Sequence, residues 1–217
     1  MFKAMIIKEL RECRGIALSA LAAYGLCVWW QIAIDESTSG MASMSIPFIG
    51  SAIFTSMFVL ISLALAIALG LRQTLGESSR GTFPLLLHRP ATRRWLIAMK
   101  VAAGAGMCLA CSAVPILVYA SWAATPGNHP SPFFWSMTAS TWEIWLTMAL
   151  VYLGAFLTGL RRARWWFSRL WPIAAMLLFA IYVVNVASWP IHGLTEIGVA
   201  AALLIAAILG AAQTRDY

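Results

Sequence analysis

The sequence predicts an all-α integral membrane protein, and three observations lead to this fold class. The composition is 61% hydrophobic and only 11% charged, whereas soluble domains carry roughly 25% charged residues. Long uncharged runs separate the ionisable residues, and the Lys and Arg residues all fall on one predicted side of those runs. Because about 20 apolar residues cross a bilayer as a helix, we expect one domain, residues 1–217, with six membrane spans.

The uncharged runs define the spans. Twenty uncharged residues separate Arg14 from Asp35, and 42 separate Lys100 from Glu143. The longer run contains residues 125–132, which are too rich in Pro, Gly and Asn for a helix interior. Treating every run in this way predicts spans at about 15–34, 48–71, 93–122, 142–160, 171–190 and 196–213.

The basic residues predict the orientation. All fifteen Lys and Arg residues lie in residues 1–14, in the 72–100 loop, in the 161–169 loop or at position 215. Such an excess marks the cytoplasmic side, so we expect cytoplasmic N- and C-termini. The acidic residues Asp35, Glu36, Glu143 and Glu196 then lie on the opposite side. Topology and attraction to anionic membrane lipid explain the net charge of +7, so we expect no nucleic-acid partner.

Residues 1–14 are predicted to form an amphipathic helix in the inner interface. Phe2, Met5, Ile6 and Leu10 recur near helical spacing, which indicates a helix lying flat on the membrane. The charged residues on the predicted opposite side are Lys3, Lys8, Glu9, Arg11, Glu12 and Arg14. A solvated start to the first span is the alternative.

The loop between the second and third spans is predicted to contain a helix of its own. It runs from Arg72 to Lys100 and holds six of the fifteen basic residues, although helix connections usually need only about two to eight residues. Thr82 is a suitable N-cap for a helix that contains Leu85, Leu86 and Leu87, and Pro90 would end that helix. We therefore expect a short helix outside the bilayer core.

The motifs of catalysis are missing. Residues 76–82, GESSRGT, have the glycine spacing of a phosphate loop, but Thr82 replaces the essential Lys and no strand precedes it. Cys108 and Cys111 have CxxC spacing, which on an apolar helix favours packing over redox or metal chemistry. We expect no enzyme activity and no cofactor in this chain; an intramembrane enzyme is disfavoured because the spans lack a polar catalytic cluster.

The polar residues of the spans also bear on transport. Ion-coupled transporters usually need charges near the midplane, whereas the ionisable residues here lie near span ends. Transport by this chain would therefore draw its energy from a partner. Asn185 and Glu196 are weak candidates for a substrate path, since Asn185 more often bonds a neighbouring helix and Glu196 more often marks an interface.

The Arg72–Lys100 loop resembles that of ABC-2 type permeases, the membrane subunits of one class of ATP-binding-cassette transporters. The matching residues are Glu77, Gly81, Thr82, Leu86, Leu87, Pro90, Thr92, Arg93 and Lys100. The overall plan is similar too, with Lys8, Glu9 and Leu10 in the N-terminal helix and Arg215 and Asp216 after the last span. The chain departs from the family in its short connection between spans five and six. We therefore do not infer from the resemblance that this chain has the family's exit gate.

The resemblance implies an exporter subunit with a coupling helix between spans two and three. This helix would dock on a separate ATPase subunit that holds ATP and Mg, and a second permease copy or paralogue would complete the pore. The implied docking residues are Glu77, Arg80, Gly81, Thr82, Leu86, Leu87, His88, Arg89, Pro90 and Arg93, with Glu9 and Arg11 contributing from the N-terminal helix. The alternative is a non-transporting membrane scaffold or assembly factor whose basic loop binds another cytoplasmic protein.

Overall fold

The computed structural model describes residues 2–38, 52–80, 92–128, 133–161, 166–186 and 190–214. These residues form helices and short connections, with no strand among them. The helices are α1 (Phe2–Thr38), α2 (Ala52–Arg80), α3 (Arg93–Ala124), α4 (Ala139–Leu160), α5 (Trp166–Val186) and α6 (Pro190–Thr214), with a 3₁₀ turn at Trp135–Thr138 before α4.

Five helical segments are long and apolar enough to cross a membrane. They are Ile6–Glu36, Ile53–Gly76, Arg94–Ala124, Trp135–Leu160 and Gly193–Ala211. The predicted span at 171–190 corresponds to α5, whose apolar segment, Phe167–Val183, is shorter. The all-helical class is therefore confirmed for the described residues, which include five helices of spanning length; the sixth predicted span is not confirmed. The predicted coupling helix falls mainly on residues 81–91, which lie outside the described residues.

The first helix is continuous from Phe2 to Thr38, without a break near residue 14. Its buried residues follow one another at spacings of three and four, which places them on one face: Glu9, Cys13, Ala17, Ala20, Tyr24, Val28 and Gln31. Ile7 and Leu10 are instead exposed. The inward face of the N-terminal part thus includes Glu9, which the sequence pattern put on the polar side, because the small residues that follow it in the stripe allow close helix packing.

Helix α4 lies at the centre of the bundle. It contacts α2, α3, α5 and α6, and every residue from 150 to 160 is buried. This part of α4 is apolar or small on all sides, as expected for a helix surrounded by others. Gly70 of α2 permits the closest approach, since a Cβ there would lie 2.8 Å from the backbone nitrogen of Phe156.

Contacts between neighbouring helices define two ends of the bundle. At the basic end lie the exposed side chains of Lys8, Arg11, Arg14, Arg72, Arg94 and Arg161. At the acidic end lie Asp35, Glu36, Glu143 and Glu196. Between the ends, Tyr24 of α1 and Ser62 of α2 form a buried hydrogen bond of 2.6 Å. Large apolar side chains such as Leu18, Leu26 and Leu203 are exposed on the outer surface, as expected for helices that face lipid.

Candidate functional site

A buried ion pair lies near the basic end of the bundle. Lys100 Nζ of α3 donates a hydrogen bond to Glu9 Oε1 of α1 at 2.8 Å. Glu9 is 2% exposed and Lys100 is 4% exposed. The ion pair of Lys8 with Glu12, by contrast, is solvent-accessible and 3.8 Å long. Removing charges from water costs several kcal/mol per ion, so Glu9 and Lys100 require each other and further hydrogen bonds.

Gln73 of α2 connects the ion pair to two further helices. Its Nε2 atom donates to Glu9 Oε2 and to the backbone oxygen of Lys100, each at 3.4 Å. Its Oε1 atom accepts a 2.6 Å hydrogen bond from the hydroxyl of Tyr152 in α4. We call Glu9, Gln73, Lys100 and Tyr152 the polar clasp. It joins α1, α2, α3 and α4 at one level of the bundle.

Small residues make room for the polar clasp. A Cβ added at Gly104, one turn beyond Lys100 in α3, would collide with the Tyr152 hydroxyl and with Gln73 Oε1. A Cβ added at Gly159, two turns beyond Tyr152 in α4, would likewise collide with the hydroxyl of Thr74 in α2. The glycines therefore bring α3 and α4 close enough to α2 for the hydrogen bonds to form.

The polar clasp holds the two helices that flank residues 81–91. Gln73 lies two turns before Arg80, the last residue of α2, and Lys100 lies two turns after Thr92, which precedes α3. The backbone of α3 begins with hydrogen bonds from Trp95 and Leu96 to the Thr92 oxygen. A displacement of either flanking helix end is thus opposed by buried charges and by contacts with α1 and α4.

The docking residues predicted from the sequence lie at or between these helix ends. Glu77 and Arg80 belong to the last turns of α2, and Arg93 begins α3; their side chains are outside the described part of the chain. Arg11 is exposed on α1, whereas Glu9 points inward. The remaining predicted docking residues lie outside the described residues: Gly81, Thr82, Leu86, Leu87, His88, Arg89 and Pro90.

The two weak candidates for a substrate path lie on different helices. Asn185 is in the last turn of α5, and its side chain is not among those described. Glu196 is half-buried in α6, one turn after Gly193, against which the Glu143 carboxyl group of α4 packs. Glu196 is therefore next to another helix rather than isolated at the surface.

The acidic end contains a second polar contact. Asp35 accepts hydrogen bonds of 2.9 Å from Gln31 Nε2 and from the Tyr119 hydroxyl. The Tyr119 ring in turn stacks on Phe54 of α2, with 5.0 Å between the ring centroids. Neutral donors of α1 and α3 thus satisfy this carboxylate.

Sequence reasoning missed Gln73 and the inward direction of Glu9. A signal for Glu9 is present, because the stripe of Cys13, Ala17, Ala20 and Tyr24 extends back to position 9 at the same spacing. Gln73 carries no comparable signal. It follows Arg72 at the end of an apolar run, and only the packing of α2 against α1 and α4 turns its amide inward.

The fold and the polar clasp define a class, namely an all-helical protein with several helices of membrane-spanning length. No family model, no curated protein and no solved structure matches this chain. The described residues contain no group of three or more His, Cys, Asp or Glu side chains suited to a metal ion. The side chains of the polar clasp hold a buried pair of opposite charges between four helices.

Proposed function

We propose that this chain is the membrane-spanning subunit of an ABC-2 type transporter, working as an exporter. Its own sequence has no ATP-binding motif, so a separate ATPase subunit would bind ATP and Mg and supply the energy. A second copy of the chain, or a paralogue, would complete the translocation path. The basic end would face the cytoplasm of a bacterial cell, beside anionic lipid.

The observation that carries this proposal is the position of the polar clasp next to residues 81–91. The resemblance places the ATPase-docking helix in that segment, and the segment is bounded by two helices that the clasp ties to α1 and α4. Buried ionic contacts favour discrete arrangements over gradual ones, because a partly separated buried charge pair is costly. A push on the docking segment would thus move several helices together.

The positions of the predicted docking residues fit a division of roles. Arg11 is exposed at the basic end and is available to a partner, together with Arg89 and Arg93 of the predicted loop. Glu9 is buried in the polar clasp, so its contribution would be to hold α1 in place. Docking would then be mainly electrostatic, between exposed Arg side chains and an acidic surface of the ATPase.

The test is purification of the tagged full-length chain from its native host, with mass spectrometry of the proteins that accompany it. We expect an ATPase with Walker motifs whose ATP hydrolysis changes when the chain is present in lipid. Arg89→Glu combined with Arg93→Glu should reduce recovery of the ATPase at least about tenfold, the effect of losing about 1.4 kcal/mol of binding energy, without reducing membrane insertion.

The matched control is Arg161→Glu combined with Arg169→Glu, which reverses the same number of charges in the other basic loop. This variant should recover the ATPase normally if the 72–100 loop is the docking site. Equal loss in both variants would contradict specific docking. A stable complex without any ATPase would contradict the transporter proposal and support the scaffold alternative.

A further inference from the structure

A narrow groove lies between α1 and α3, in the half of the bundle nearer the acidic end. Its volume is about 240 Å³, and it extends along α1 from Leu21 to Ile32. Gly25 of α1 contributes no side chain to it, and a Cβ added there would meet nothing within 4 Å. Pro115, inside α3, forms part of the other wall. We call this space the α1–α3 groove; all its lining residues belong to the described part of the chain.

The surface of the α1–α3 groove is almost entirely apolar. Tyr24 and Trp29 carry the only polar side-chain atoms in its lining. The Tyr24 hydroxyl is already bonded to Ser62 inside the bundle at 2.6 Å. Trp29 is 64% exposed and lies towards the acidic end, where an indole ring suits the boundary between membrane and water. A polar ligand would lose hydrogen bonds to water without replacing them, so the groove fits a hydrocarbon group.

The length of the groove matches one leaflet of a bilayer. Between Leu21 and Ile32, α1 advances by about 16 Å at about 1.5 Å per residue, and half of a hydrocarbon core is about 15 Å thick. A volume of about 240 Å³ spread over this length leaves a channel far narrower than a helix with its side chains, which is about 10–12 Å in diameter. An extended acyl chain can therefore enter the groove, whereas a helix of a second copy could only lie across its opening.

The acidic side chains beyond the groove indicate the type of head group. Glu36 lies one turn beyond Ile32 on the same face of α1, and it is exposed. Asp35 is its neighbour, and the connection that follows α1, residues 39–51, contains no Lys or Arg. Negative charge repels a lipid whose head group is anionic and attracts a head group that carries an ammonium ion. Phosphatidylethanolamine has such a head group.

We propose that the α1–α3 groove binds one acyl chain of a phospholipid from the leaflet on the acidic side, with the ammonium group of this lipid next to Glu36. Lipid on the outer surface of the bundle contacts single exposed side chains such as Leu18 and Leu26. A chain in the groove contacts two helices at once, so it exchanges more slowly than the surrounding lipid. This binding is independent of whether the protein transports a substrate.

Photolabelling of the full-length protein in lipid nanodiscs tests the binding of the acyl chain. The nanodiscs contain phosphatidylethanolamine, a small fraction of which carries a diazirine on its acyl chain, and mass spectrometry locates the adducts after illumination. We expect the adducts to concentrate in residues 21–32 and 114–118. An even distribution over the exposed faces of all helices would contradict the proposal, because it is the pattern of lipid that merely surrounds the protein.

Gly25→Leu tests the groove itself, because the new side chain occupies the space of several methylene groups of the lipid. This variant should reduce labelling of residues 114–118 at least about fivefold. Gly15→Leu is the matched control, since Gly15 is an exposed glycine of α1 whose added Cβ also meets nothing within 4 Å but which does not line the groove. Gly15→Leu should label like the unaltered protein. Unchanged labelling in Gly25→Leu, or dissociation of a dimer by Gly25→Leu without loss of labelling, would overturn the proposal.

A comparison of two lipids with the same diazirine chain tests the head group. In the unaltered protein, phosphatidylethanolamine should label residues 114–118 about two- to fivefold more than phosphatidylglycerol, the range expected for one exposed ion pair. Glu36→Gln should bring this ratio close to one. Glu12→Gln removes an exposed carboxylate at the opposite end of α1 and should keep the ratio. Equal or stronger labelling of the unaltered protein by phosphatidylglycerol would contradict the recognition of an ammonium group.

Discussion

The two ends of the bundle each bury carboxyl groups between helices, but they stabilise them differently. At the basic end, Glu9 is neutralised by Lys100 and is further bonded by Gln73. At the acidic end, Asp35 relies on the neutral donors Gln31 and Tyr119.

This difference follows from topology. A membrane protein with its Lys and Arg residues on one side has cations available for buried carboxylates at that side only. On the other side, the carboxylate of Asp35 obtains its hydrogen bonds from the neutral donors Gln31 and Tyr119. The predicted one-sided distribution of Lys and Arg would therefore also limit which polar contacts each end can build.

Removing the cation of the polar clasp is expected to have the largest effect. Lys100→Met leaves Glu9 buried without a counter-ion, which costs about 3–5 kcal/mol of unfolding free energy. The double variant Glu9→Leu with Lys100→Met should recover most of this loss, since replacing both buried charges by apolar groups is often neutral or stabilising. Denaturant titration of the protein in lipid or detergent measures both variants.

Lys8→Met is the matched control for that experiment. Lys8 pairs with Glu12 at the surface, one turn along the same helix, and such pairs contribute about 0.2–0.5 kcal/mol. If Lys100→Met and Lys8→Met destabilised the protein equally, the burial of the Glu9–Lys100 pair would have no energetic importance and the two ends would not differ as described.

The packing around the polar clasp is the next most sensitive feature. Gly104→Ala places a Cβ against the Tyr152 hydroxyl and Gln73 Oε1, and overpacking of this kind costs about 1–3 kcal/mol. Gly106→Ala is the control, because nothing lies within 4 Å of its added Cβ. Gly106→Ala should be neutral or stabilise α3, as Ala favours a helix over Gly by about 1 kcal/mol.

Thermal unfolding in lipid compares the two alanine variants. We expect Gly104→Ala to unfold at a lower temperature than Gly106→Ala. Equal stability would mean that α3 can move away from α2 and α4 without losing the hydrogen bonds of Gln73. In that case α3 could shift at little energetic cost, and the polar clasp would contribute no more to stability than a contact at the surface.

The helices were largely predictable from the sequence, because uncharged runs and Gly- or Pro-rich breaks report directly on apolar length. The spans beginning near residues 48, 93 and 142 coincide with α2, α3 and α4. The predicted span at 171–190 overlaps α5, which begins five residues earlier, at Trp166.

The polar contacts were less predictable. Glu9 and Lys100 were each noticed, but separately, because residues 91 positions apart in sequence come together only through the packing of α1 against α3. The contact of Glu143 with Gly193 has the same origin in the packing of α4 against α6. Periodicity identifies a buried face, as it does for α1, but it does not identify which residues of two buried faces meet.

The smallest of the expected effects concerns the neutral donors at the acidic end. Tyr119→Phe removes one of the two hydrogen bonds that hold Asp35 while Gln31 keeps the other, so we expect a loss of about 0.6–1.7 kcal/mol, as for other hydrogen bonds between membrane helices. Tyr182→Phe, at a 43% exposed position of α5, serves as the control and should change the unfolding free energy by less than about 0.5 kcal/mol. Unfolding in lipid compares the two. A loss for Tyr119→Phe as large as that for Lys100→Met would contradict the distinction between the ends, because it would make a neutral donor as important to a buried carboxylate as a buried cation.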